Sequence, residues 1–311
     1  MLLPRRLSGP AAAATILTSV LSLSLAPFAQ AATACNGSPD LCSRSYSKVT
    51  FVGSHNAPFV GALLVHNQFV SVTDQLDMGV RYLQAQSHEK DGGIEMCHTD
   101  CLLLDAGSLE KYLDSVTEWV EKDGNEEEVI TLLITNGDGV DVKEFDEVFE
   151  KTGLGKHVFT PDTGEDGGLL GMDEWPSLGE LVDAGTRVVV FMDYHSDTSS
   201  VPYILDQFAY YFEGPFDTTD PDFGQCSMDR PSSDEDPEGL MYLVNHYLDV
   251  EIAADIFVPN QILIPLTNSL DSIMQQADLC EDTWHRMPNV LLLDWINIGD
   301  ATSAQEVLNG L

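Results

Sequence analysis

What most constrains the fold is a repeated alternation along the chain. Short apolar runs at 49–52, 80–86, 129–135, 187–194, 240–244 and 290–295 are separated by stretches of helical periodicity. The run Val129-Ile130-Thr131-Leu132-Leu133-Ile134-Thr135 is nearly continuous rather than alternating. A strand that is apolar at consecutive positions is buried on both faces, as in a parallel sheet covered by helices. Leu109, Tyr112, Leu113, Val116, Trp119 and Val120 recur at helical spacing in 108–122, with Ser108 placed to cap the N-terminus. Phe145, Val148 and Phe149 make a similar stripe in 142–152. Helices are also expected at 67–78, ended by Gly79, and at 178–184 and 303–308. A short extended piece at 94–98 follows the turn Asp91-Gly92-Gly93. Strand and helix alternating over this length predict an α/β fold, a closed TIM-type (β/α) barrel in a single domain over 32–311. The stretch 213–240, rich in Pro, Asp, Gly and Ser, reads as a long loop tied down at Cys226.

The first residues stand outside this pattern. Arg5 and Arg6 precede an apolar, small-residue stretch that ends in Ala29-Gln30-Ala31. This arrangement predicts a secretory signal peptide over 1–31, with Sec-type export the simpler reading than a twin-arginine route. No second stretch is long enough to cross a bilayer. Charge narrows the partners: 14 Lys and Arg stand against 51 Asp and Glu, a net charge of −37. Such a chain repels phosphate backbones, which argues against nucleic acid, and it lacks a basic patch for anionic lipid. A soluble, secreted, extracellular monomer is expected.

Six cysteines in a secreted chain suggest disulfides. Spacing favours Cys35–Cys42 and Cys97–Cys101, leaving Cys226–Cys280, although fifteen pairings are combinatorially open. A zinc site at Cys97-His98-Thr99-Asp100-Cys101 is the rival reading, without a second ligand pair nearby. Asn36-Gly37-Ser38 is a glycosylation sequon in what reads as a flexible arm.

On a barrel, chemistry gathers where strands end at the C-terminal mouth. The polar residues there are His55 and Asn56, Gln84 and Gln86, His98, Asn136 and Asp138, Asp193 and His195, Asn245 and His246, and Asp294 and Asn297. His66, His157 and His285 read as surface residues.

Taken together, GSHN at 53–56, GVRYLQAQ at 79–86, MCHTDCLLLDAG at 96–107 and LLLDWIN at 291–297 resemble the X-domain of phosphatidylinositol-specific phospholipases C. More narrowly they resemble the secreted fungal PLC-like phosphodiesterases, over about 48–310. The resemblance implies a distorted TIM barrel. It also implies in-line attack on phosphorus by a neighbouring inositol hydroxyl, giving a cyclic phosphate. Two histidines suit this chemistry, because an ordinary pKa of about 6.5 lets one start neutral and the other charged. By the resemblance, His55 is the general base, His98 the general acid, and Asp294 the carboxylate that orients His55. Asn56 would touch the phosphate or a metal. Asn245 and Tyr247 would fall near the head group.

The sequence departs from the family where positive charge is supplied. Calcium-dependent members carry a Glu-x-Asp pair on the second strand and a Glu after the third; metal-free bacterial members carry an arginine on the second strand. This chain has Gln84, Gln86 and about Thr135 at those places, and Asp193 where the bacterial enzymes have an inositol-binding arginine. Neutral amides are poor ligands for Ca²⁺, so no cofactor is expected, with a divalent metal held through Asp193, Asp138 or Asp294 as the open alternative. Gln84 and Gln86 are expected to donate to the phosphate instead. The expected function is a secreted phosphoric diester hydrolase acting on a phosphoinositide or glycosyl-phosphatidylinositol-like substrate. The alternative is a barrel without turnover, acting as an extracellular binding or cell-wall protein.

Overall fold

The computed structural model describes residues 31–162, 168–231, 237–254 and 256–311. The predicted signal segment therefore lies outside the described residues, except for Ala31. Residues 31–311 form one compact α/β unit.

The strands, in chain order, are β1 (Phe51–Ser54), β2 (Tyr82–Lys90), β3 (Gly93–Cys97), β4 (Asp105–Ser108), β5 (Ile130–Asn136), β6 (Val188–Asp193), β7 (Ile204–Asp206), β8 (Tyr211–Glu213), β9 (Met241–Asn245), β10 (Asp249–Ala253), β11 (Ile256–Pro259) and β12 (Val290–Leu293). Eight of them lie side by side in the order β7-β6-β5-β2-β1-β12-β9-β8, all neighbours parallel. This is a strongly curled sheet, a distorted TIM-type barrel. The ladder is not closed: among the described residues β7 and β8 do not pair, although only the short helix Gln207–Tyr210 separates them in sequence. The expected closure fails at this seam. The edge of β8 that faces away from β9 bonds instead to backbone of the long loop, with Glu213 N donating to Arg230 O and Asp229 N to Glu213 O.

The continuous apolar runs conceal an alternation. In β5, Ile130, Leu132 and Ile134 pack outward against helices, whereas Leu133 packs inward. The inward layer deepest in the barrel is aromatic. Tyr46, Tyr82 and Tyr211 are buried there, with Tyr46 Oη 2.7 Å from Thr131 Oγ1. Leu133 and Leu292 lie above, and the last inward layer, Thr135, Asp193, Glu213 and Asn245, is polar. The outer helices form for the expected reasons. Ser108 accepts from Lys111 N at the start of the helix Leu109–Val120, whose apolar stripe is buried. Each large apolar side chain so buried contributes about 1.5–3 kcal/mol. The helix Val142–Thr152 starts on Asp141 and ends on Gly153 at φ 82°, where a residue with a Cβ would be strained.

Several boundaries differ from expectation. The helix expected over 67–78 is Val72–Asp77, and residues 67 and 68 are instead buried loop polar groups. The hairpin β10–β11, the strands β7 and β8, and the helix Leu270–Trp284 carry no clear periodic signal in the sequence. The three disulfides pair as expected: Cys35–Cys42, Cys97–Cys101 and Cys226–Cys280. Cys97 and Cys101 are thus unavailable as thiolates, and the zinc alternative falls. Asn36 does not sit on a flexible arm; its Oδ1 accepts from Val129 N at 2.7 Å.

Candidate active site

At the C-terminal ends of the parallel strands lies a cavity of about 620 Å³. His55 follows β1, and its backbone N–H donates to Leu293 O at 2.9 Å. The following residue turns back, with Asn56 at φ 50° and its N–H donating to Gln84 Oε1 at 2.8 Å. This tight turn fixes the imidazole. His55 Nδ1 lies 2.8 Å from Asp294 Oδ1, which also accepts from Asn67 Nδ2 at 3.0 Å. The carboxylate oxygen receives from both sides, so the ring proton sits on Nδ1. Nε2 is then a lone pair, and Asn56 Nδ2 donates to it at 3.0 Å. Tyr247 stacks on the ring at 3.8 Å and 2°. Gln68 Nε2 donates to His55 O at 2.8 Å.

This pair is dry: the side chains of His55 and Asp294 are 12% and 4% exposed. Burial pushes the His55 imidazolium far down, to about 3, against the opposing pull of Asp217 and Glu213. Burial also pushes the Asp294 carboxyl well up. One proton is held on the line between Nδ1 and Oδ1, and Nε2 is left as a neutral lone pair beside the Asn56 amide.

His98 reaches the same cavity from just past β3. Its Nδ1 donates to Val65 O at 2.8 Å, which leaves Nε2 for the cavity. It lies on the Cys97–Cys101 disulfide loop, stacked on Phe59, and is half-buried. Burial lowers its pKa, partly offset by the carbonyl of Val65.

Of the other expected site residues, Gln84, Gln86, Asp193, Asn245 and Tyr247 line the cavity. Gln84 Oε1 is taken by Asn56 N and Gln86 Oε1 by Thr99 N at 2.9 Å, which turns their amide N–H groups toward free space. Asn245 Nδ2 donates to Gly214 O at 3.0 Å. Asn56 is the correction: it is fully buried and absent from the cavity wall, because its backbone and side-chain N–H groups are both committed beneath His55. Asp294 likewise lies behind His55, off the cavity wall. Five further expectations at the mouth, Asn297 among them, fall away from the cavity. Asn136 Nδ2 donates to Val140 O within its own turn, and Asp138 accepts from His88 and Glu89 N. His195 lies over Gly139. His246 is buried, bonded to Thr267 O at 2.8 Å and to Gln276. His66, expected at the surface, is buried under Gly61.

The site also contains residues that sequence reading missed. Asn67, on the cavity wall, and Gln68, buried behind His55, lie in the stretch expected to be helix. Arg230 lies in the long loop and meets Glu213 through its guanidinium, with Asp193 Oδ2 at 3.9 Å from Nη1. Its proximity to β8 could not be read from spacing. Burial, with Glu213 adding to it, raises Asp193 to about 7, and burial with Asp294 and Asp217 raises Asp249 to about 8. Among the described residues Arg230 is the one guanidinium on the cavity wall, and it is paired with Glu213. The donor set does not make a cage for a hard cation. Among the described residues, no three His, Cys, Asp or Glu side chains converge to hold one.

Comparisons with known proteins bear on the family and the fold. The family model described as PI-PLC X 1 matches residues 41–309. "PI-PLC X domain-containing protein 1" of Arthroderma benhamiae is 48% identical over 301 residues, 95% of either chain. An "Uncharacterized secreted protein" of the same fungus is 42% identical over 279 residues, 87% of this chain and 62% of that protein. Among solved structures, the phosphatidylinositol-specific phospholipase C of Listeria monocytogenes superposes with a TM-score of 0.54 at 14% identity, over 87% of this chain and 95% of that one. A variant of the Staphylococcus aureus enzyme gives 0.57 at 12%, over 86% and 94%. With the family match spanning most of the chain and the barrel shared, the chain belongs to the PI-PLC X-domain family.

Proposed function

We propose that the protein is a secreted phosphoric diester hydrolase that cleaves a phosphodiester such as that of phosphatidylinositol or a glycosyl-phosphatidylinositol. The observation that carries this reading is His55 held between Asp294 and Asn56, with His98 on the same cavity. In the first step the hydroxyl next to the phosphate attacks phosphorus. The new O–P bond forms as His55 Nε2 takes the hydroxyl proton, displacing the amide of Asn56. The P–O bond to the leaving alcohol breaks, and His98 Nε2–H supplies the proton that the departing oxygen needs. Water reverses these roles to open the cyclic phosphate. His98 begins with a lowered pKa, so a bound phosphate anion is required to hold its proton in place. Gln84 and Gln86 supply N–H donors to the phosphate oxygens, and Arg230 supplies charge. Asp193 near 7 is mostly protonated at mildly acid pH, which leaves Arg230 facing Glu213 more than a pair of full carboxylates. The donor set does not fit a hard cation, so no step passes through one. Three disulfides and the secreted fungal relative support an extracellular location.

The test is hydrolysis of phosphatidylinositol and of an aryl phosphodiester by mature protein, with and without a chelator, beside His55→Ala. Turnover that survives chelation and is lost in the variant is the expected result. The second reading, a binding barrel without turnover, draws on the acid excess of the cavity, where Asp193, Glu213, Asp217 and Asp249 outnumber Arg230. It predicts no hydrolysis under any condition.

A further inference from the structure

Two carboxylates on the cavity wall stand without a partner. Asp249 opens β10 and is only 7% exposed, yet it lines the cavity, and among the described residues no donor bonds its side chain. Its backbone N–H donates to Thr218 O at 2.8 Å, which ties it to the turn that carries Asp217. Asp217 stands in a left-handed turn at φ 55° and lines the same cavity, again with no donor on its side chain. A buried carboxylate is ordinarily paired or hydrogen-bonded, because its desolvation is otherwise uncompensated. The wall offers these two no such partner. Arg230 is committed to Glu213, and no lysine lines the cavity. Left empty, the place is unfavourable for charge: burial, with Asp294 and Asp217 adding to it, pushes the Asp249 carboxyl up to about 8.

We propose that Asp217 and Asp249 receive a primary ammonium group carried by the part of the substrate that keeps the phosphate. The unpartnered oxygens call for N–H donors, which a primary ammonium has and a quaternary one lacks. A quaternary ammonium would also want open aromatic faces. Tyr247 is covered by His55 at 3.8 Å, and Phe216 by the Arg230 guanidinium at 4.9 Å. A hard cation would need more converging oxygens than the described residues bring together. Position decides which part of the substrate carries the amine. Tyr247 lies on the His55 ring, Asp249 follows two residues later, and the Asp217 charge is felt at His55. On the proposed mechanism His55 faces the attacking hydroxyl and His98 the leaving alcohol, so the amine belongs with the attacking hydroxyl. A phosphodiester alone would bring a further negative charge to a wall where carboxyls outnumber Arg230. One that carries its own ammonium enters with no net charge. An amino sugar joined to an inositol phosphate is a molecule of this class. The placement on the substrate rests on the function proposed above; the unpartnered carboxylates do not.

The test is calorimetric binding of two soluble phosphates that differ in one group, glucosaminyl-inositol phosphate and glucosyl-inositol phosphate. Both are monoesters, so binding to mature protein is read apart from phosphodiester turnover. The amine is expected to bind about tenfold tighter or more than its hydroxyl counterpart. Asp249→Asn and Asp217→Asn, each nearly isosteric, are each expected to bring the two ligands within about threefold of one another. A thermal melt checks that both variants fold; Asp217 is exposed, so its variant carries the test even where Asp249→Asn is unstable. Equal affinity of the parent for the two ligands overturns the proposal. So does a preference for the amine that survives in both variants. The same preference is expected in kcat/KM for glucosaminyl-phosphatidylinositol over its glucosyl counterpart. Preference for the amine in binding, without hydrolysis of any phosphodiester, sustains the ammonium site and sinks the enzyme reading. Hydrolysis with equal affinity for the two ligands does the reverse.

Discussion

His55 and His98 reach one cavity from supports of different stiffness. His55 ends a central barrel strand, its ring fixed by Asp294, Asn56 and the Tyr247 stack, and its carbonyl by Gln68. His98 lies beyond the barrel ladder, on a small disulfide loop, with one ring hydrogen bond to a carbonyl and one aromatic neighbour. On the proposed mechanism the difference matches two tasks. The base must start neutral, which the dry, fully bonded setting ensures by pushing the imidazolium down to about 3, and the bound phosphate anion must then raise it for proton transfer. An acid must keep its proton only while phosphate is present, and a half-open setting lets the substrate decide.

The largest expected effect breaks this comparison if both histidines are equivalent. His55→Ala is expected to lower kcat by roughly 10³- to 10⁴-fold on lipid and aryl substrates alike, because every substrate's nucleophile must lose a proton. Steady-state kinetics on both substrates check this. His98→Ala should cost about 10²-fold on an alkyl leaving group but under about tenfold on nitrophenolate, which departs without protonation. Equal losses on the two leaving groups would take the acid role away from His98. Smaller still is the effect of the staple beside it. Cys97→Ser/Cys101→Ser is expected to cost about tenfold in kcat, with about 2 kcal/mol of stability lost from so short a loop. An unchanged kcat would show that the Val65 carbonyl and Phe59 suffice to place His98.

The smallest effect concerns the acid background both histidines share. Asp193 and Asp249 hold protons in the folded state up to about 7 and 8, whereas in the unfolded chain they ionise near 3.8. Between pH 7 and 8 the folded state therefore binds more protons, and stability falls as pH rises. A loss of about 1–2 kcal/mol is expected across that window, seen as a Tm lower by a few degrees. Asp249→Asn should remove about half of the slope in a thermal melt followed by circular dichroism.

Much of the barrel was legible because its strands are apolar at consecutive positions and its longer outer helices carry clear stripes. β7 and β8 were not, since each has three residues and too little length for a period. The helix Leu270–Trp284 mixes Asp, Gln and Glu through its stripe and was missed for that reason. Within the site, residues that follow a strand could be placed from sequence: His55, Gln84, Asp193, Asn245 and Asp294. Arg230 could not, because its position depends on where a long loop returns to the β8 edge. Asn67 was hidden by a helical pattern that starts five residues late. Asn56 was assigned to the phosphate because sequence adjacency to His55 says nothing of which way the turn at φ 50° faces.

The seam between β7 and β8 has a consequence for the protein's life among proteases. The segment bearing Asp229 and Arg230 is also what covers the free edge of β8. A single cut between Glu213 and Cys226 leaves that segment tethered on both sides, by the Cys226–Cys280 bridge before it and by the chain into β9 after it. The nicked molecule is therefore expected to keep its cavity cation and its covered strand edge, and to expose that edge to pairing with another chain only when the bridge is reduced as well.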